Sequence, residues 1–139
     1  MTQDDIQRII DEVPDLNDFG IGVLLQRRKT EDERKTELAE GKRELLNSVE
    51  ACNRVCEWLG QIDKIKTINS HRSSYGLKHL AEKDIGYITN GVFIAAAIHC
   101  GYPYRIEPGD PNVCFGMSMK LIKAVMRRQN DKQNANWAI

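Results

Sequence analysis

The chain has 139 residues, of which 41% are hydrophobic and 29% are charged, and its formal net charge at pH 7 is zero. These values are typical of one soluble domain that buries a core without metals or disulfides. No apolar run approaches the roughly 20 residues of a membrane-spanning helix, and the acidic start MTQDDIQRII is unlike a signal peptide. We therefore expect one cytoplasmic domain over residues 1–139 that does not contact a membrane.

The charges are unevenly distributed along the chain. Residues 1–60 carry 14 acidic and nine basic side chains, a balance of −5, whereas residues 61–139 carry six acidic and 11 basic ones, a balance of +5. Such asymmetry favours an anionic partner for the second half, or association between complementary surfaces of two copies. Solvated surface charge without any partner explains the same pattern.

Residues 1–22 are expected to form a short helix followed by a loop. Thr2 and Asp5 have the spacing of a capping box, and an apolar stripe of isoleucine and valine follows at steps of three and four residues. From Pro14 to Gly22 the aspartate, asparagine and glycine residues supply turn chemistry, so we expect a loop there.

One long helix is expected from Thr30 to Leu59, with a capping box at its start and Gly60 just beyond its end. Its first half is almost entirely charged. Its second half carries an apolar seam at alternating steps of four and three residues, formed by Leu45, Val49, Cys52, Cys56 and Leu59. We expect the seam to pack on the core and the charged half to project into solvent or onto another subunit.

Residues 73–101 contain the most apolar run of the chain. A first helix is expected to take its N-terminal cap from Ser73 or Ser74 and to end at Gly86. A second helix then includes residues 92–98, which offer no polar side chain to a base edge. A helix that is apolar all round is normally buried, so we place this one at the centre of the protein.

Three further elements and a tail complete the chain. Residues 61–72 form a basic connector, and residues 102–116, with three prolines and two glycines, are expected to form an irregular loop. Residues 117–128 have the pattern of a last amphipathic helix, and residues 130–139 are expected to be a flexible tail. We therefore predict an all-α, single-domain bundle of five or six helices around a central apolar helix, with one long, partly charged helix.

The densest polar and basic run leads directly into a predicted helix N-terminus, where backbone amides and the helix dipole favour phosphate. Nearby tyrosines can stack on bases, although a pI near 6.8 is low for a dedicated nucleic-acid binder. We predict a non-enzymatic module in which Arg72 and Lys78 contact phosphate and Tyr75 stacks. The predicted surface that binds nucleic acid or another anion comprises Lys64, Lys66, His71, Arg72, Ser74, Tyr75, Lys78 and His79.

A protein partner is the main alternative. The long charged helix, the short seam and the complementary halves also suit a homodimer, or an inhibitor that docks on a larger host complex. A small enzyme that uses Ser74, Lys78 and His79 has less support, because the sequence has no phosphate loop, nucleophile elbow or paired-carboxylate signature. We therefore expect neither catalysis nor a cofactor.

The four cysteines are expected to be free thiols in a reducing compartment. Cys52 and Cys56 lie one helical turn apart and, together with His99 and Cys100, leave a zinc site open as an alternative. Because Cys52 and Cys56 both fall on the apolar seam, where cysteine behaves as a small hydrophobic residue, we expect no metal there.

The block SSYGLKH…GYITNGVFIAAAI…GY…PNVCF, within residues 67–116, resembles a pattern found in small uncharacterised proteins of bacterial phages and mobile elements. The resemblance implies a bacterial cytoplasmic setting. It carries no known activity, so it assigns no functional residue. It also implies that the protein serves such an element against its host, either by regulating genes or by inhibiting a host complex.

Overall fold

The computed structural model describes residues 1–23 and 29–137, without the side chains of residues 136 and 137. Within these residues the chain is mainly helical, with six helices and two small antiparallel sheets. The helices are α1 Gln3–Glu12, α2 Glu31–Leu46, α3 Val49–Leu59, α4 Ser74–Ile85, α5 Asn90–His99 and α6 Met119–Trp137. The strands are β1 Leu16–Asn17, β2 Gly20–Ile21, β3 Tyr104–Ile106 and β4 Val113–Phe115.

The predicted number of helices is confirmed, but the prediction of a purely α-helical fold is wrong. Both segments that we expected to be loops pair into hairpins, β1 with β2 and β3 with β4. In the first hairpin the buried Asn17 amide donates to the carbonyl oxygens of Asp15, Gly20 and Gly22, so one side chain closes the turn. In the second hairpin the three prolines lie outside the paired residues 104–106 and 113–115, where a missing amide proton costs no strand hydrogen bond.

Helix α5 occupies the centre of the protein, as predicted. Every residue from Gly91 to Ala97 is buried. The Thr89 hydroxyl caps the helix by accepting a hydrogen bond from the Val92 amide at 3.2 Å. Phe93 meets Trp58 of α3 and Phe115 of β4 edge to face, with ring centroids 6.3 and 6.1 Å apart.

The long helix that we predicted from Thr30 to Leu59 is two helices, and this prediction is wrong at one place. Thr30 caps α2 as expected, by accepting from the Glu33 amide, but α2 ends at Leu46 and α3 begins at Val49. The break has a local cause, because the Ser48 hydroxyl donates to the Glu44 carbonyl oxygen at 2.8 Å and so competes with the helix backbone. The seam is therefore divided, with Leu45 buried at the end of α2 and Cys52 and Leu59 buried in α3.

The last helix is longer than expected. Helix α6 continues to Trp137, through most of the segment that we expected to be a flexible tail. Arg128, at the end of the predicted helix, binds Asp84 of α4 through two hydrogen bonds of 3.2 and 2.8 Å. No helix within residues 1–23 and 29–137 has the length and apolar character needed to cross a membrane.

The turn of the first hairpin lies in unusually close contact with two helices. A Cβ atom added at Gly91 of α5 would stand 2.0 Å from the Asn17 carbonyl oxygen and 2.8 Å from the Asp18 Cα. A Cβ atom at Gly41 of α2 would stand 2.4 Å from the Asn17 Oδ1 atom. Only glycine permits this approach of helix and turn.

We expect Gly91→Ala to lower the free energy of unfolding by about 1–3 kcal/mol or more, because the added methyl group meets backbone that has little room to move. Gly76 is the matched control, since it also lies early in a helix but a Cβ atom there would meet nothing within 4 Å. Gly76→Ala should raise stability by up to about 1 kcal/mol through helix propensity. Urea unfolding measures both changes, and a Gly91→Ala protein as stable as the parent would contradict the close approach.

The hydrogen bonds of Asp84 lead us to expect that the free energy of unfolding falls in acid. The pKa of Asp84 is lowered from its ordinary value of 3.8 to about 2, first by hydrogen bonds from Arg128 and then by those from Trp58 and Gln129. Because the folded-state pKa is depressed, the stabilisation is fully present above about pH 4 and is lost as the pH falls towards about 2. We expect Asp84→Asn to lower stability at neutral pH and to reduce the loss across that window, in urea unfolding as a function of pH. Asp131→Asn, at an exposed position of α6, should change neither quantity.

Candidate functional site

The eight residues predicted to form one basic surface do not lie together. Residues 64–73 run antiparallel to β4, with bridges from Lys64 to Met117 and from Ser73 to Cys114. Lys64 therefore lies beside Met117, just beyond β4, whereas Ser73 lies beside Cys114 within the strand. Lys64 lines one pocket, together with Cys100, whereas Tyr75 and Lys78 line another.

Lys78 does not face solvent, and its predicted role as a phosphate ligand is therefore wrong. Its ammonium group is buried and donates to Glu82 Oε1 at 3.0 Å and to the Ile88 carbonyl oxygen at 3.1 Å. The bond to Ile88 ties α4 to the connector that leads into α5. A charge that is paired in this way is not available to an external anion.

Ser74 and His79 also have roles within the protein. Ser73 occupies the N-cap position of α4, as predicted, but its side chain makes no capping hydrogen bond. Ser74 is fully buried, and its hydroxyl accepts from the Val113 amide of β4 at 3.0 Å. His79 is exposed, but its Nδ1 lies 3.0 Å from Glu82 Oε1 and its ring packs edge to face on Tyr75.

The remaining cations of the predicted surface are more accessible. Lys66 and His71 are exposed, and Arg72 is half-buried with its Nη2 atom 3.1 Å from the Met126 sulfur of α6. Within residues 1–23 and 29–137, Arg72 forms no ion pair. Of the predicted surface, Lys66, His71 and Arg72 thus remain accessible, and His71 and Arg72 come directly before α4 in the chain.

A pocket of about 470 Å³ lies where the first hairpin, α4, the start of α5 and the second hairpin meet. Three of its walls are aromatic side chains with unusually high exposure, at 43% for Phe19, 52% for Tyr75 and 74% for Tyr87. We call it the aromatic pocket. Its full lining is Asp18, Phe19, Tyr75, Lys78, Tyr87, Thr89, Asn90, Pro111 and Asn112.

Lys78 organises two of the aromatic walls. Its Nζ atom lies 5.8 Å from the centroid of the Tyr75 ring and 5.1 Å from that of Tyr87. These distances are within the range of a cation–π interaction, which is strengthened when the cation is desolvated. The buried ammonium therefore helps to hold the two exposed rings in place on either side of the pocket.

The polar wall of the aromatic pocket is built from hydrogen-bonding groups at the start of α5. The Thr89 hydroxyl donates to Asp18 Oδ1 at 2.8 Å, and the Asn90 amide donates to Asn112 Oδ1 at 3.0 Å. Burial raises the pKa of Asp18, with Glu44 nearby adding to the effect. The wall therefore offers carboxyl and amide groups next to aromatic surfaces, a combination suited to a planar ligand with polar edges.

The surroundings of the aromatic pocket are electrostatically asymmetric. Asp18 and Phe19 also line a neighbouring pocket of about 280 Å³ whose other wall is α2. That wall contains Glu37, Glu40 and Glu44. On the other side, α4 is preceded in the chain by the accessible side chains of Lys66, His71 and Arg72. An anionic ligand chain would be repelled from the α2 side and attracted towards the start of α4.

The cysteines do not form a zinc centre with their neighbours in the part of the chain that the structure describes. No group of three or more histidine, cysteine, aspartate or glutamate side chains there is placed to hold a metal ion. All four cysteines are free thiols. Cys52 is completely buried, and burial raises its pKa to about 12, so it behaves as a core residue.

The sequence indicated only part of the aromatic pocket. Tyr75 was predicted to stack, and Lys78 was named with a role that the structure corrects. Phe19 and Asp18 were assigned only to a loop, and nothing in the local sequence connects them with Tyr75. The sequence contains one weak signal, a phenylalanine between aspartate and glycine in a predicted loop. An apolar side chain is not needed for the turn itself, so its presence there suggests a contact elsewhere.

The comparisons identify no relative of this protein. No protein-family model matches the chain, and no curated protein or solved structure is significantly similar to it. The functional argument therefore depends on the geometry of the site.

Lys78→Met should lower the free energy of unfolding by about 1–3 kcal/mol, because it leaves the Ile88 carbonyl oxygen and the Glu82 carboxylate without their donor. Lys83→Met is the matched control, since Lys83 lies in the same helix with its side chain exposed. Its effect should stay within about 0.5 kcal/mol in urea unfolding. Equal effects for the two variants would contradict a structural role for the buried ammonium.

Proposed function

We propose that this chain is a non-enzymatic module that binds single-stranded nucleic acid and takes an unpaired base into the aromatic pocket. The observation that carries the proposal is the convergence of three exposed aromatic side chains, Phe19, Tyr75 and Tyr87, on one pocket with a polar wall. Exposed aromatic rings are costly to leave in water without a partner. Stacking of bases on such rings is worth about 1–3 kcal/mol per base and tolerates any sequence.

The size and chemistry of the pocket support a base-sized ligand. A volume of about 470 Å³ lies within the usual range for small-ligand sites. The carboxyl group of Asp18 and the amides of Asn90 and Asn112 line one wall and can exchange hydrogen bonds with the edge of a base. A duplex does not present a base in this way, so the proposal is limited to unpaired strands.

The phosphate backbone would leave the pocket on the α4 side. Lys66, His71 and Arg72 precede the first turn of α4, whereas the opposite side carries the carboxylates of α2. Lys66 and Arg72 supply only two fixed positive charges, and Lys78 no longer contributes, so binding should be weak and sensitive to salt. This revises the predicted surface by moving Lys64 and Ser74 out of it and by adding Phe19 and Tyr87.

The setting of this function stays a prediction. The resemblance to small proteins of phages and mobile elements supports a role in gene regulation, and a cytoplasmic location fits such a role. The competing hypothesis is that the chain binds a protein, either a second copy of itself or a host complex, and the experiment below distinguishes the two.

The test is fluorescence anisotropy with labelled single-stranded DNA and RNA oligonucleotides of mixed sequence at low and moderate salt. We expect binding that weakens as salt rises, with a log–log slope of about −0.7 for each phosphate contact. Tyr75→Ala and Tyr87→Ala should each weaken binding by about fivefold or more, from the loss of one stacking surface. Lys66→Gln should weaken binding less but should reduce the salt slope by about one contact.

Tyr104→Ala is the matched control, because Tyr104 is also an exposed tyrosine but lies on β3 outside the aromatic pocket. It should leave binding unchanged. No binding at low salt, or equal losses for Tyr104→Ala and Tyr75→Ala, would overturn the proposal. Absence of binding together with a dimer in light scattering would favour the protein-interaction alternative.

A further inference from the structure

A second pocket, of about 380 Å³, brings two cysteines together. Cys56 of α3 and Cys100, directly after α5, both line it and are both partly exposed. The two residues converge on one carbonyl oxygen, that of Ala96, which accepts from the Cys100 amide at 2.9 Å and lies 4.0 Å from the Cys56 sulfur. We call this the thiol pocket, and its other lining residues are Met1, Leu59, Gly60, Lys64, His99 and Tyr102.

The thiol pocket favours a thiolate at Cys100. The neighbouring Cys56 thiol lowers the pKa of Cys100 more than burial raises it, and the Lys64 ammonium and the N-terminal amino group lower it further. The pKa of Cys56 is raised by Cys100 and by burial, and its sulfur lies 3.9 Å from the Met1 sulfur and 4.0 Å from the Ala96 carbonyl oxygen, so this thiol keeps its proton. Lys64 is held near by its position 5.5 Å from the centroid of the Tyr102 ring.

Tyr102, which also lines the thiol pocket, stays neutral. Burial raises the pKa of Tyr102 to about 12, and its hydroxyl donates to the Leu59 carbonyl oxygen at 2.8 Å. No competing negative charge therefore arises from this phenol at physiological pH. A partly exposed thiolate beside a cation and a second thiol has the features of a reactive, oxidation-sensitive cysteine.

We propose that the thiol pocket is a modification site at which hydroperoxides oxidise Cys100 and Cys56 then resolves the product as a disulfide. In the first step the Cys100 thiolate attacks one peroxide oxygen, the O–O bond breaks, and the departing hydroxide or alkoxide takes up a proton. Cys100 becomes a sulfenic acid and the peroxide is reduced to water or alcohol. In the second step the Cys56 sulfur attacks Cys100, the S–O bond breaks, water leaves with the Cys56 proton, and an S–S bond forms.

This site is independent of nucleic-acid binding. The aromatic pocket and the thiol pocket have no lining residue in common. The chain also supplies its own comparisons, since Cys52 is completely buried and Cys114 is a partly exposed thiol on β4 outside the thiol pocket. Both can be followed in the same sample as Cys100.

The first test uses the unmodified chain and reads each cysteine separately by peptide mass spectrometry after timed alkylation with iodoacetamide at neutral pH. We expect Cys100 to react about fivefold or more faster than Cys114, because the gain in thiolate fraction exceeds the loss of intrinsic nucleophilicity. Lys64→Gln should slow Cys100 by about twofold or more and leave Cys114 unchanged. Equal rates at Cys100 and Cys114 in the unmodified chain would overturn the proposal, and this comparison needs no variant to fold.

The second test treats the protein with hydrogen peroxide and maps the products. We expect an intramolecular disulfide between Cys56 and Cys100 that a reductant reverses. In Cys56→Ser the sulfenic acid at Cys100 should accumulate and be trapped by dimedone, whereas Cys114→Ser should form the disulfide as the parent does. Oxidation that begins at Cys114, or disulfides that form only between molecules, would contradict the resolving role of Cys56.

Discussion

The contact between the turn of the first hairpin and the start of α5 is the constraint on which the rest of the structure depends. The Gly91 amide donates to the Asp18 carbonyl oxygen at 3.0 Å, and the Asp18 amide donates to the Gly41 carbonyl oxygen at the same distance. The turn is therefore bonded to α5 on one side and to α2 on the other. Because neither glycine has a side chain, the backbones come close enough for these bonds, and Asp18 and Phe19 are carried to the edge of the aromatic pocket.

The second organising feature is a buried charge. Removing the Lys78 ammonium from water is costly, and Glu82, the Ile88 carbonyl oxygen and two aromatic rings together compensate for the loss of hydration. The same interactions contribute to folding stability and to the proposed site, because the ammonium group that they stabilise also contacts the Tyr75 and Tyr87 rings at the pocket. A basic residue in a basic stretch thus contributes to the proposed site by positioning other side chains.

The connector over residues 64–73 runs between the two proposed sites, the thiol pocket and the aromatic pocket. It is bridged to the β4 segment at two places, from Lys64 to Met117 and from Ser73 to Cys114, and Lys64 lies beside the thiol pocket whereas the start of α4 lies beside the aromatic pocket. A single basic stretch of the sequence therefore supplies a cation to a cysteine pair at one end and accessible polar and basic side chains to the proposed ligand surface at the other.

The sequence by itself determined the features that depend on near neighbours. The caps at Thr2 and Thr30 and the stop at Gly86 are local hydrogen-bonding and backbone effects, and the apolar run of α5 has to be buried wherever the chain goes. Only the tertiary structure decided the two hairpins, the burial of Lys78 and the composition of both pockets. These features depend on contacts between residues that are far apart in the chain. The local sequence around one residue does not indicate which distant group will pair with its charge, complete its hydrogen bonds or cover its apolar surface.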